Sequence, residues 1–185
     1  MVDYKEMPLD EAYRLINVGP VVMVSTVSRD GEYDVAPIAW ACPAGKAPTR
    51  VMVGVGKRHK TFSNIEETKV FVVGVPNVSQ VEMIKATGSV SGNDVDKFTE
   101  CNVKAITARE INCKIPDGMI GYIECNVTSI YDTGKLALIV GDAIYAAVDT
   151  EAYDGERILS DKPAGKTVHH MGNKRFITLG DHVIE

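Results

Sequence analysis

The sequence is short of cysteine and of net positive charge, and it has no long apolar run. Each shortage removes a class of protein. Four cysteines in 185 residues, Cys42, Cys101, Cys113 and Cys125, are too few and too scattered for a disulfide scaffold. No two are spaced as C-x-x-C, so neither a zinc ribbon nor a thioredoxin-like motif is present. The even spacing of the last three matches no metal-ligand pattern, and the four read as reduced, mostly buried thiols. A net charge of −5 argues against a non-specific nucleic-acid or membrane partner, which would want a basic excess. No stretch approaches the ~18 uninterrupted apolar residues of a membrane-spanning helix. The first residues are charged and lack the apolar centre of a signal peptide, so the expectation is a cytoplasmic protein. Two nucleotide-binding signatures are also missing: the P-loop pattern G-x-x-x-x-G-K-S/T and a strand-linked G-x-G-x-x-G. Neither an internal repeat nor a low-complexity segment occurs.

The chain that remains is 45% hydrophobic and 24% charged, the composition of an ordinary globular protein. At this length it is expected to form a single domain over residues 1–185, with a core large enough to need no disulfide or metal. A short helix is expected first, with Pro8 in its first turn, Ala12, Leu15 and Ile16 on one face and Gly19 at its end. The β-branched run Val21–Val27, the turn Arg29-Asp30-Gly31-Glu32 and the segment Tyr33–Trp40 read as a hairpin, with the Asp-Gly pair supplying a positive φ. Pro37 places its strand at an edge or a bulge. A loop containing Pro43, Gly45 and Pro48 then leads into a strand at Val51–Val55. Further strands are expected at Val70–Val75, Gly121–Tyr131, Leu136–Val148 and Arg175–Leu179, and helical stretches at Thr61–Thr68, Val78–Ala86 and Asp94–Glu100. Strands dominate and hairpins connect most of them, unlike the alternation of a doubly wound fold. The pattern predicts a mainly β protein, a small antiparallel barrel with short helical insertions.

The most informative segment is Gly56-Lys57-Arg58-His59-Lys60-Thr61, where a strand ends, three firm positive charges follow, and a helix starts. Thr61 or Ser63 can cap that helix, and Ser63 with Glu66 matches a capping box. A helix N-terminus exposes unpaired N–H groups, and basic side chains beside it make a site for a dianion such as phosphate. A solvated basic turn is the other reading of the same residues. Trp40, the only tryptophan, is either core or an aromatic platform for a ligand, and its N–H needs an acceptor if buried.

Ala36-Pro37-Ile38-Ala39-Trp40, then Lys57 to Thr61 with Asn64-Ile65, then Ser91-Gly92-Asn93-Asp94-Val95-Asp96-Lys97-Phe98, occur in order behind the hairpin. Together they resemble the flavin reductase-like, FMN-binding split-barrel family, and its flavoredoxin branch in particular. The resemblance runs from about Pro20 to about Leu179 and implies an antiparallel split β-barrel. It implies FMN as cofactor, a homodimer with the flavin near the subunit interface, and electrons arriving from NAD(P)H or a redox-protein donor. It also implies roles: Ala39, Trp40 and Ala41 lining the flavin ring, and Gly56 to Thr61 (Gly56, Lys57, Arg58, His59, Lys60, Thr61) forming the phosphate turn. Ser91, Gly92 and Lys97 match the family's S-G-x-x-x-D-K-F, which makes them cofactor-binding with Lys97 a further flavin-side contact, and Phe176, in Gly172-Asn173-Lys174-Arg175-Phe176, matches an aromatic position near the ring.

There is one departure. Where many relatives carry histidine in G-x-H-x-x-x-x-G, this chain has Leu136 in the run Gly134–Gly141. His169 and His170 are candidates to compensate; His59 and His182 complete the histidines, and none of the four sits in a recognisable catalytic constellation. The sequence therefore supports a flavin-dependent oxidoreductase or electron carrier first, and a non-catalytic FMN-binding protein second. A metal site at His169-His170 with Cys42 or His59 is disfavoured because adjacent histidines rarely share an ion with good geometry.

Overall fold

The structure, a computed structural model, describes residues 7–17, 19–172 and 175–179. Asn173, Lys174 and His182, named above, lie outside the described residues. The strands are β1 (Val22–Val27), β2 (Tyr33–Ile38), β3 (Ala41–Lys46), β4 (Thr49–Gly56), β5 (Val70–Val75), β6 (Ala105–Thr107), β7 (Lys114–Pro116), β8 (Gly121–Asp132), β9 (Leu136–Val148), β10 (Val168–His170) and β11 (Phe176–Thr178). The α-helices are α1 (Lys60–Thr68), α2 (Val81–Ser89) and α3 (Lys97–Glu100). Seven strands form one sheet in the order β2-β1-β5-β8-β9-β4-β3, every pairing antiparallel. The mainly β, antiparallel reading holds.

The sheet curls so that α1 closes one end of its interior. Phe62 and Ile65 of that helix are buried with Val24, Val53, Val55, Phe71, Val73 and Ile139. The opposite face of β1 and β5 is covered by a second cluster, in which Met23 and Val72 meet Ile84 of α2, Phe98 of α3 and Ile115 of β7. Being buried on both faces, β1 has no exposed residue, which is why its sequence runs apolar instead of alternating. The hairpin into β2 turns at Gly31, whose φ of 84° favours glycine. Pro37 sits where proline is tolerated, on the edge strand β2.

Several expectations are corrected. The segment around Pro43 and Gly45 is not a loop but the strand β3, the other edge of the sheet, with a bulge between Pro43 and Gly45. An edge strand leaves one side of its ladder unpaired, so proline and a bulge cost it little. The N-terminal helix is a 3-10 segment, Leu9–Leu15, that ends before Gly19, and Leu15 and Ile16 stand 73% and 83% exposed, so the described residues do not bury them. The third helical stretch begins only at Lys97, capped by the Asp96 side chain on the Phe98 N–H. The hairpin β6–β7 and the strand β10 were not foreseen: each is three residues long, too short for a periodic signal. Among the cysteines, Cys113 and Cys125 are buried but Cys42 is exposed and Cys101 half-exposed. Burial pushes the Cys113 and Cys125 thiols up to about 12, which leaves them unreactive.

Candidate functional site

The strand β4 delivers the chain to Gly56, where His59 N–H closes a turn on the Gly56 carbonyl at 3.1 Å. The helix α1 then starts with His59 as N-cap, and no side chain caps it. Thr61 and Ser63 are therefore not the cap, and no Ser63–Glu66 capping box forms. The Thr61 hydroxyl is engaged elsewhere, 2.6 Å from Oδ2 of Asp34 on β2. Within the first turn of α1 the Phe62 and Ser63 N–H groups bond the His59 carbonyl at 3.0 and 3.3 Å, so among the described residues it is the Lys60 and Thr61 N–H groups that remain for water or a ligand.

The basic side chains of the turn differ sharply in what they touch. Lys57 Nζ is 2.6 Å from Asp132 at the β8–β9 turn, and Lys60 Nζ is 2.7 Å from Glu32 at the β1–β2 turn. Arg58 is exposed, and among the described residues no hydrogen bond or ion pair engages its guanidinium. The His59 ring lies over Gly56, where a Cβ would stand 2.7 Å from its Cδ2. Burial first, and then the charges of Arg58 and Lys97, hold its pKa below the ordinary 6.5, against the opposing pull of Asp34.

The segment Ser91–Lys97 closes over this turn. Asn93 Nδ2 donates to the Arg58 carbonyl at 3.0 Å, and Ser91 anchors its own loop by accepting from the Asn93, Asp94 and Val95 N–H groups. Lys97 is buried, its Nζ donating to the Val35 carbonyl at 3.0 Å and standing 3.5 Å from Asp34 Oδ1. Thr61, Gly92 and Lys97 thus meet at Asp34, and the turn Gly56, Lys57, Arg58, His59 and Lys60 is tied to the loop that Ser91 anchors through the Asn93–Arg58 bond. Sequence reasoning passed over Asp34. Its signal was faint: one acidic residue inside a β-strand, where a carboxylate needs a partner if it faces inward.

The other candidates lie further along β2. Ala39 and Phe176 border a cavity of about 810 Å³, walled by Val21, Pro37, Ile84 and Ala86, with His170, Glu82 and Lys85 as its titratable groups. His170 packs its ring against Phe176, centroids 5.4 Å apart. His169 points away, buried, with its Nε2 2.9 Å from the Thr167 hydroxyl, so of the adjacent pair only His170 borders the cavity. Trp40 and Ala41 open instead onto a smaller depression of about 420 Å³ with Tyr13 and Met52, to which Ala39 also belongs. Trp40 is not core: it is 40% exposed, set edge-on against Tyr13 at 5.6 Å. Leu136 pairs with Gly56 across β4 and β9, so the residue standing in for histidine does adjoin the basic turn. Among the described residues no group of three histidine, cysteine or acidic side chains is placed to hold a metal ion, and no helix is long and apolar enough to cross a membrane.

The family described as "flavin reductase like domain" matches residues 15–172. The chain belongs to that family. Over 183 residues this flavin reductase-like protein is 29% identical to an uncharacterized protein, YddH, of Escherichia coli, covering 95% of this chain and 94% of the relative. Its structure superposes on an FMN-binding domain of a flavin reductases-like enzyme from Shewanella baltica with a TM-score of 0.82 at 28% identity, each chain covered in full. It superposes on flavoredoxin from Methanosarcina acetivorans with a TM-score of 0.86 at 20% identity, covering all of this chain and 95% of that one. That second likeness is one of fold. The family, the split-barrel fold and the FMN-binding character of the relatives agree with the reading of the motifs.

Proposed function

We propose that the chain folds as one FMN-binding domain over its whole length and works as a cytoplasmic, homodimeric flavin oxidoreductase or electron carrier. Electrons reach it from NAD(P)H or from a redox-protein donor. The observation that carries this reading is the placement of two unlike sites at the two ends of one strand. Against Asp34 stands the N-terminal turn of α1, through Thr61, and the residue two before that helix is Arg58 with its uncommitted guanidinium; together they suit a phosphate. At Ala39, five residues on and so about 16 Å away at ~3.3 Å per residue, the strand reaches the apolar cavity bordered by Phe176. Its volume lies within the ~300–1,000 Å³ of small-molecule sites, and the separation suits a flavin whose phosphate and ring lie at opposite ends of a ribityl chain.

In this arrangement the residues have separate tasks. Arg58 and the α1 N–H groups hold the phosphate dianion, while Lys57 and Lys60, tied to Asp132 and Glu32, shape the turn and add positive potential. Ala39, Phe176 and the α2 wall exclude water from the ring's surroundings, and Trp40 and Ala41 flank its approach. FMN when bound supplies the hydride and electron chemistry; the protein contributes orientation and electrostatics. His170 is the histidine that borders the cavity, packed against Phe176. Free thiols in all four cysteines support a reducing compartment.

The second reading, a non-catalytic FMN carrier, is favoured by one observation: Leu136 puts no titratable side chain on β9 beside the turn. Purification followed by a visible spectrum tests flavin retention, and calorimetry with FMN and FAD tests the preference for FMN. Anaerobic mixing with NADH or NADPH then tests whether a nicotinamide is the electron donor. Bleaching of the flavin band supports the reductase, persistence of the band with either nucleotide supports a protein donor or a carrier, and a protein with no affinity for FMN sinks both.

A further inference from the structure

The buried carboxylate of Asp34 has a role that no motif assigns to it. Asp34 is 1% exposed, and its two oxygens are divided between two elements. Oδ2 accepts from the Thr61 hydroxyl in the first turn of α1 at 2.6 Å, and Oδ1 faces the Lys97 ammonium at the start of α3 at 3.5 Å. Oδ1 makes no hydrogen bond, although it is buried, where a carboxylate oxygen ordinarily has a donor. The backbone of Gly92 lies directly on it, so that a Cβ at position 92 would run into Oδ1 and into Lys60 Cβ. Four segments therefore converge on one side chain: β2, the first turn of α1, the Ser91–Asp94 loop and the start of α3.

The chemistry of these contacts limits what each partner can do for a ligand. A hydroxyl has one proton, and Thr61 spends it on Asp34, so toward a phosphate its side chain has only a lone pair to offer. An ammonium has three, of which the Val35 carbonyl takes one and Asp34 faces another, leaving Lys97 a single N–H. A carboxylate beside a dianion site repels the ligand unless it serves to hold cations and donors in place. We propose, resting on the FMN reading above, that Asp34 is a positioning residue of the phosphate site. It locks Thr61, and with it the first N–H groups of α1, to Lys97 and the Gly92 backbone, so that the site holds its phosphate-binding spacing before the flavin arrives.

The test is a double-mutant cycle read on two ligands that differ only in the phosphate. Dissociation constants for FMN and riboflavin are measured by flavin fluorescence quenching on the full chain, for the wild type, Asp34→Asn, Thr61→Val and the double variant. Thr61→Val is nearly isosteric and changes no charge, so it isolates position from electrostatics and remains decisive if Asp34→Asn fails to fold. Each single variant is expected to weaken FMN about tenfold and riboflavin by less than about twofold, and the double variant to lose no more than about tenfold, because coupled residues act as one unit. Equal losses for both flavins, additive losses of about a hundredfold in the double variant, or tighter FMN binding by Asp34→Asn would each overturn the proposal. In all of those the wild type still binds FMN, whereas a wild type that binds neither flavin defeats the FMN reading and this proposal with it.

Discussion

Within the basic turn, formal charge is a poor guide to which side chain meets a ligand. Lys60 and Glu32 form a pair whose acid is 67% exposed, and such surface pairs contribute only about 0–1 kcal/mol. Arg58 begins with no such engagement to break and carries a planar fork suited to phosphate. Arg58→Ala should therefore weaken FMN by about 10- to 150-fold, one charge-assisted hydrogen bond of about 1.5–3 kcal/mol, while Lys60→Ala costs less and riboflavin is indifferent to both. Fluorescence titration checks the order, and a larger loss at Lys60 would reverse the assignment. His59 reports on the same charges. Its pKa is lowered by burial, then by Arg58 and Lys97, so the unfolded chain binds the proton more tightly than the folded one. The stability His59 contributes is thus complete above the ordinary 6.5 and is lost as pH falls through its lower folded value. In NMR titrations of the flavin-free protein the His59 midpoint should lie below 6.5 and move upward in Arg58→Ala. A midpoint that stays put on that substitution would mean that Arg58 points away from the ring.

At the level of elements, the connection between β6 and β7 depends on a carboxylate that belongs to the main sheet. Glu124 of β8 is fully buried, and its two oxygens accept the backbone N–H groups of Arg109, Glu110 and Ile111 at 2.7, 2.8 and 2.7 Å. From there the chain runs through Asn112, whose Oδ1 meets the Tyr33 hydroxyl at 3.3 Å. It continues to Lys114, whose ammonium lies 4.9 Å from the Tyr33 ring centre and 5.9 Å from that of Phe98. The segment thereby braces the start of β2 and the helix that carries Lys97. Glu124→Gln replaces one acceptor by a donor facing N–H groups, and should lower stability by about 1.5–3 kcal/mol, the worth of a hydrogen bond to a charged group. Urea unfolding monitored by circular dichroism measures it. No change in midpoint would show that the 109–111 stretch finds other acceptors.

For the whole molecule, the uncovered surface is as telling as the core. Leu9, Leu15 and Ile16 are 92%, 73% and 83% exposed, and beside them Tyr13 and Trp40 border the depression that runs to Ala39. Exposed apolar side chains of this kind are what an association surface presents, and Ala39 links the depression to the cavity bordered by Phe176, the arrangement that the proposed homodimer calls for. The wild type should sediment as a dimer at micromolar concentration. Ile16→Glu together with Leu15→Glu should yield a monomer that also binds FMN more weakly, because the ring then loses its second wall. A monomeric wild type with full flavin content would refute the dimer, and a dimeric double variant would move the interface elsewhere.

Local rules made much of this legible in advance. The run Val21–Val27, the Asp30-Gly31 turn and the edge placement of Pro37 all follow from backbone preferences that act within a few residues, as does the helix after the basic turn. The motif order from Ala36 to Phe98 was enough to indicate the family. What the chain alone left open was decided by contacts between residues far apart in sequence. Pro43 and Gly45 lie in a strand only because β4 is there to pair with them. Thr61, expected as a cap, turns its hydroxyl to Asp34, 27 positions earlier, because a buried carboxylate demands a donor more urgently than a helix end open to water. Of the adjacent His169 and His170, one faces Thr167 and the other the cavity, an alternation that follows from β10 pairing with β11 and could be assigned only once that pairing was known. Local sequence set the long strands, the Asp-Gly turn and the helix after the basic turn, since propensity and turn chemistry are short-ranged. Tertiary structure decided which side chains meet, since burial and charge pairing act through space.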